Sequence, residues 1–149
     1  MTRSILFVCL GNICRSPTAE AVFRGLAQGR GLNIDSAGTS GWHDGGRADP
    51  RASAEATRRG YDMSMIRSRK VCLADFDRFD LIIAMDRQNL ADLRAVQPKN
   101  SVARLELFLD YASEFGIIDV PDPYYEDNFE AVFDMIETAS KGLLESISA

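Results

Sequence analysis

Histidine is nearly absent from this 149-residue chain, cysteine and proline are sparse, and positive charge is in deficit. The single histidine, His43, and three cysteines without Cys/His zinc spacing argue against a metal site. One histidine also argues against a Ser–His triad. An odd cysteine count gives no disulfide framework, and no Cys-x-x-Cys supports thiol–disulfide exchange. With 17 basic against 22 acidic residues, the chain lacks the basic surface that sequence-independent binding to nucleic acid or anionic lipid requires. No apolar run reaches the ~18 residues of a membrane span, and Ile5–Leu10 is too short for a signal-peptide core. The expected setting is the cytoplasm, where thiols stay reduced, with release without a signal peptide left open.

What is present describes an ordinary globule: 46% apolar and 26% charged residues, enough to bury a core without metal or disulfide staples. No repeat, low-complexity tract or linker divides it, so one domain over residues 1–149, acting as a monomer, is expected. Ser4–Leu10 reads as a strand buried on both faces. Ser16 then reads as N-cap and Pro17 as the first residue of a helix running to about Gln28. Asn33–Thr39, Phe79–Met85 and Val102–Leu107 read as further strands. Helices are expected from Pro50 to about Arg59, after Asp86 to about Val96, and over Asn128–Ile147, the last with Asp127 and Glu130 as a capping-box variant. The alternation predicts a three-layer α/β/α fold, a four-stranded parallel sheet with helices on both faces. Ligands bind such sheets beyond the carboxyl ends of strands.

The loop after the first strand reads Cys9-Leu10-Gly11-Asn12-Ile13-Cys14-Arg15-Ser16. A loop of this length between strand and helix can curl its backbone N–H groups toward one centre, an anion nest reinforced by the helix N-terminus. Gly11 and Asn12 suit the left-handed conformations of such a curl, and Arg15 supplies a fork for two phosphate oxygens. Residues Leu10 to Ser16 are the expected phosphate cradle. Its positive field favours a thiolate beneath it, with Ser16 as a hydroxyl donor. The alternative reading, a buried small hydrophobe and a surface arginine, fails to explain why these features coincide. No Gly-Lys-Ser/Thr follows and no GxGxxG is present, so the loop is not a nucleotide-binding one.

These residues resemble the low-molecular-weight protein tyrosine phosphatase family, of bacterial type. The resemblance runs in family order through Ser36-Ala37-Gly38-Thr39, Trp42-His43, Asp49-Pro50-Arg51, Met85-Asp86 and Asp122-Pro123-Tyr124-Tyr125. It implies a hydrolase acting on phosphotyrosine in proteins through a cysteinyl-phosphate, with Cys9 as nucleophile, Arg15 on the phosphate, and neither metal nor cofactor. For Asp122, the residues alone leave two readings open: a carboxyl held over the nest by flanking prolines, or a plain turn before the last helix. By resemblance it is the general acid and then the general base. Trp42, Tyr124 and Tyr125 are implied as aromatic walls of a substrate slot; the alternative makes them anchors pinning loops to the core. His43 reads as a solvated loop residue. Asn12 and Ser36 are expected to brace the curl from behind. Family members commonly carry a histidine in the segment corresponding to Met65-Ile66-Arg67-Ser68-Arg69 that supports this asparagine; this sequence has Ile66 there, a departure that bears on the support of the curl and not on the nucleophile. Cys14 is implied as a thiol able to trap an oxidised Cys9 as a reversible disulfide.

Arsenate reductase of the same fold is a weaker alternative, because only Cys72 lies outside the loop. A protein-arginine phosphatase would carry threonine in place of Ile13. A phosphate-binding module without catalysis would be expected to lack one of Cys9, Arg15 and Asp122. Charge is uneven: Arg47–Lys70 carries seven basic and three acidic residues, Asp119–Glu137 carries seven acidic and no basic ones, and both runs read as solvated helix faces.

Overall fold

The computed structural model describes residues 2–148, so the two end residues of the expected 1–149 domain lie outside it. The run Ser4–Cys9 forms strand β1, and all six residues are buried because both faces are covered. β2 (Asn33–Gly38), β3 (Leu81–Ala84) and β4 (Arg104–Leu107) complete a sheet of order β2-β1-β3-β4 in which every pair is parallel. The helices are α1 (Arg15–Leu26), α2 (Pro50–Arg58), α3 (Asp75–Arg78), α4 (Arg87–Val96), α5 (Pro123–Glu126) and α6 (Phe129–Ser148).

Side chains alternate across a strand, so β1 feeds two cores. Ile5, Phe7 and Cys9 pack with Phe23, Phe108, Phe133 and Ile136 under α1 and α6. Leu6 and Val8 pack with Phe76, Leu90 and Leu93 under α3 and α4. Helices therefore cover both faces, as expected. The chain leaves β1 for β2 on one side and returns to β3 on the other. That reversal makes the carboxyl end of β1 a switch point, where the crevice of an open α/β sheet lies.

Several boundaries differ from the sequence reading. Helix α1 begins at Arg15, with Cys14 at its N-cap and no side-chain cap, so Ser16 lies inside the first turn rather than capping it. The Ser16 hydroxyl is drawn instead to the Cys9 sulfur. Asp127 does not cap α6: it ends α5 in the left-handed conformation, φ 54°. β4 starts at Arg104, and Val102, expected in the strand, is 93% exposed. The two charged runs are not separate solvated faces. They meet across α2 and α6, where Arg59 pairs with Asp134 at 2.8 Å and Glu137 at 2.5 Å, and across α2 and the end of α5, where Arg51 reaches Asp127 at 3.7 Å.

Candidate active site

Cys9 ends β1 and is 3% exposed. Its sulfur accepts the Asn12 N–H at 3.3 Å and lies 3.0 Å from the Ser16 hydroxyl. Asn12 Nδ2 donates to that hydroxyl oxygen at 2.8 Å, so the Ser16 proton is free for the sulfur at 3.0 Å or the Ala37 carbonyl at 3.4 Å, and a thiolate is the stronger acceptor. Two donors thus converge on Sγ, an arrangement that suits a thiolate. Asn12 takes the left-handed conformation, φ 56°, that the curl was expected to need. Gly11 does not: a side chain there would press on the His43 ring at 3.2 Å, so its glycine provides room rather than handedness.

Four of the curl's carbonyls are held by the surrounding structure. Leu10 O accepts from Ser40 N and Ser40 Oγ, both at 3.0 Å. Asn12 O accepts from Ser68 Oγ at 2.5 Å, and Ile13 O from Asp49 N at 2.8 Å. Cys14 O accepts from Thr18 Oγ1 at 2.6 Å. Among the described residues the N–H groups of Gly11, Ile13 and Cys14 donate to no protein acceptor. Unpaired amides at the head of a helix form an anion site.

Arg15 is 4% exposed, and its Nη1 is committed to Asp86 Oδ2 at 2.7 Å and Val120 O at 3.0 Å. Its Nη2 lies 3.7 Å from Asp122 Oδ2. Burial opposes its charge, but Cys9 and then Asp86 hold it above the ordinary arginine range. Asp86 also caps α4 by accepting Asn89 N at 2.7 Å, so one carboxylate fixes both a helix end and the arginine. For Cys14, burial and then the negative charges of Asp49 and Asp122 push the thiol far up, so it stays protonated at neutral pH.

A cavity of about 210 Å³ opens over this curl. Cys9, Leu10, Gly11, Ile13, Cys14 and Arg15 line its floor, and Trp42, His43, Asp122, Tyr124 and Tyr125 line its sides. The three aromatics expected as walls are gathered here, with Trp42 and Tyr125 each 74% exposed. Neither is a core anchor. His43 is exposed, as read, but also borders the cavity. Asn12 and Ser16, expected in the phosphate cradle, sit behind the sulfur at 1% and 0% exposure. Asp122 combines its two sequence readings: Oδ1 caps α5 through Tyr124 N at 3.1 Å, while Oδ2 faces Arg15.

The expected contact behind the curl is present, with Ser36 accepting from Asn12 Nδ2 at 3.0 Å. Contributors that escaped sequence reading stand beyond it, beginning with Glu20, whose Oε1 accepts from the Ser36 hydroxyl at 2.6 Å. Glu20 is buried, its carboxyl is raised by that burial, and Arg24 pairs with it at 2.7 Å. Ile66 packs into the core, and the support expected from a histidine there comes from Arg69 N, which donates to Asn12 Oδ1 at 3.0 Å. Arg51 steadies the wall: its guanidinium lies 5.5 Å from the Tyr124 ring centroid and pairs with Asp49 at 3.0 Å.

A cysteine beneath an anion nest, a buried arginine beside it and a carboxyl facing both define a cysteine-based phosphoryl-transfer site on a parallel α/β sheet. The family model described as "Low molecular weight phosphotyrosine protein phosphatase" matches residues 4–149. The chain is 45% identical over 148 residues to low molecular weight protein-tyrosine-phosphatase YfkJ of Bacillus subtilis, covering 97% of this chain and 95% of that one. The crystal structure of YfkJ superposes with a TM-score of 0.92 at 43% identity, covering 99% and 96%. A low molecular weight protein-tyrosine-phosphatase of Streptomyces coelicolor is 44% identical over 99% of this chain and 94% of its own. A Drosophila arginine phosphatase shares the fold, with a TM-score of 0.90 over 100% and 99% of the two chains, at 29% identity. The chain belongs to the low molecular weight phosphotyrosine protein phosphatase family and is a protein-tyrosine-phosphatase, a hydrolase. Its substrates are phosphoproteins, and no helix among the described residues is long and apolar enough to cross a membrane.

Proposed function

We propose that the reaction runs through a phosphoryl group carried on Cys9. The thiolate attacks phosphorus in line, the P–O bond to the aryl oxygen breaks, and Asp122 gives its proton to the leaving phenolate. In the second step Asp122 takes a proton from water, the water oxygen attacks phosphorus, and the S–P bond breaks to release phosphate and the thiolate. Arg15 and the amides of Gly11, Ile13 and Cys14 hold the equatorial oxygens as charge shifts between the apical ones. Trp42, Tyr124 and Tyr125 flank the aryl ring. The observation that carries this reading is the pairing of two donors on Cys9 Sγ with Asp122 across the same cavity.

Both the Cys9 and Cys14 thiols are free and border the cavity, which supports the redox role for Cys14. Peroxide oxidises the Cys9 thiolate to a sulfenic acid, the Cys14 thiol displaces water from it, and an added thiol reopens the disulfide. Cys14→Ser is expected to lose recovery after peroxide; full recovery in that variant contradicts the role. The whole chain acts as one monomeric unit in the cytoplasm on this reading, without nucleic-acid partners.

The test is phosphate release from phosphotyrosine, phosphoserine and phosphoarginine peptides, with arsenate reduction assayed in parallel. Release from phosphotyrosine alone, absent in Cys9→Ser, is expected. Preferred release from phosphoarginine, or arsenate reduction, overturns the substrate assignment.

A further inference from the structure

We infer that Ser68 is a positioning residue for the phosphate site, aiming the Ile13 N–H into the nest by gripping the Asn12 carbonyl from behind. The inference rests on the phosphatase reading above and adds a residue to its machinery. Ser68 lies outside the curl, 56 positions along the chain from Asn12, and is 4% exposed. Its hydroxyl donates to Asn12 O at 2.5 Å, and among the described residues no other donor reaches that oxygen.

The consequence follows from peptide geometry. No cis peptide bond is present among the described residues, so the C=O of Asn12 and the N–H of Ile13 point in opposite directions across one rigid plane. Holding the carbonyl outward on Ser68 turns the Ile13 amide inward, where it has no protein acceptor. This plane most needs holding, because Asn12 is the curl's one left-handed residue, and such a conformation persists only where its surroundings fix it. The neighbouring carbonyls are held differently. Ile13 O is held by a backbone N–H, and Leu10 O by both the amide and the hydroxyl of Ser40. Cys14 O is held by both the amide of Thr18, at 3.2 Å, and its hydroxyl, at 2.6 Å, so of these four carbonyls Asn12 O alone, among the described residues, depends on a single side chain.

Ser68 is itself held independently of its hydroxyl. Its N–H donates to Gly46 O and its carbonyl accepts from Gly45 N, each at 2.8 Å. Next to it, Arg69 pairs with Asp75 at 2.9 Å and Asp35 at 3.1 Å. The backbone therefore stays in place when the hydroxyl is removed. The same two bonds fasten Ser68 to the loop carrying Trp42 and His43, so one residue spans the nest and the wall.

The test measures Ser68→Ala beside wild type and Ser40→Ala, using turnover of a phosphotyrosine peptide and direct binding of inorganic phosphate. Binding is read by the fluorescence of Trp42, the one tryptophan. Because Ser68 aims a donor rather than supplying one, Ser68→Ala is expected to lower kcat roughly tenfold, less than outright donor removal. Phosphate affinity should weaken several-fold, the KM for peptide should change little, and the melting temperature should stay near wild type. Ser40→Ala keeps an amide on its carbonyl and should lose at most twofold. Unchanged kcat and phosphate affinity in Ser68→Ala overturn the inference, as does a loss no greater than that of Ser40→Ala. A wild-type protein that binds phosphate without turning over peptide would defeat the phosphatase mechanism alone. Phosphate affinity would then still decide the role of Ser68.

Discussion

At the scale of residues, the site divides labour between two similar thiols. Cys9 has an amide and a hydroxyl aimed at its sulfur, whereas burial and nearby carboxylates keep Cys14 protonated. Iodoacetate near neutral pH should therefore label Cys9 and spare Cys14, read by peptide mass mapping in a Cys72→Ser background, because Cys72 is exposed. Label on Cys14 in preference to Cys9 would reverse the assignment. Asp122 faces Arg15 from the first residue of a proline-led turn, and Asp122→Asn keeps the cap acceptor while removing the proton donor. Its kcat on phosphotyrosine peptide should fall by about 10²–10⁴-fold with KM little changed. Residues adjacent in sequence were the legible ones. Cys9, Arg15 and Ser16 follow from spacing within one loop, because strand and helix ends force those residues together. Asp86 and Ser68 reach the site from other elements through a single contact, Glu20 acts through Ser36, and no local pattern announces such contacts.

At the scale of elements, the end of β2 is as constrained as the curl it supports. A Cβ on Gly38 would stand 2.7 Å from Leu10 O and 3.0 Å from Ser40 O, both backbone atoms with little freedom to retreat. Gly38→Ala should therefore displace the curl, weakening phosphate binding and lowering the melting temperature together; a variant with wild-type phosphate affinity would contradict this packing. The strongly patterned elements could be read directly. β1 and β3 are short runs of buried apolar residues, and α2 carries Asp49 and Pro50 at its start, as cap chemistry predicts. The four-residue helices α3 and α5 were not foreseen, since one turn cannot display a 3.6-residue period. Helix α1 starts at Arg15, ahead of the point that Ser16-Pro17 predicts from cap chemistry. In this protein the sulfur and Asn12 compete for the Ser16 hydroxyl and win it.

At the scale of the whole molecule, charge pairing joins elements that are remote in sequence. Arg59 reaches from the end of α2 to Asp134 and Glu137 on α6, and the Tyr61 hydroxyl donates to Glu137 at 2.8 Å. Burial, and then that carboxylate, push Tyr61 up to about 12 from its ordinary 10.0. A folded-state value above the unfolded one stabilises below about pH 10 and is lost as pH rises through about 12. Denaturant titrations should show this alkaline loss reduced in Tyr61→Phe; an identical slope in both proteins would contradict it. On the acid side, Arg69 holds the fully buried Asp75 below the usual carboxylate range despite desolvation. That contribution is present above the ordinary carboxylate value and fades as pH falls through the lowered one. Arg69→Ala leaves this carboxylate only Cys72, whose N–H donates at 2.8 Å, and should cost about 3 kcal/mol in urea unfolding, with the loss of stability in acid reduced.

The central claim is that the phosphoryl group passes through Cys9, and trapping it there tests that claim most directly. Asp122→Asn should be mixed with phosphotyrosine peptide, quenched within the first turnover and mapped by mass spectrometry. The account predicts phosphate on the peptide containing Cys9, discharged on longer incubation and absent from a Cys9→Ser control. Turnover by Cys9→Ser, or phosphate carried on Cys14 or Cys72 instead, would contradict it.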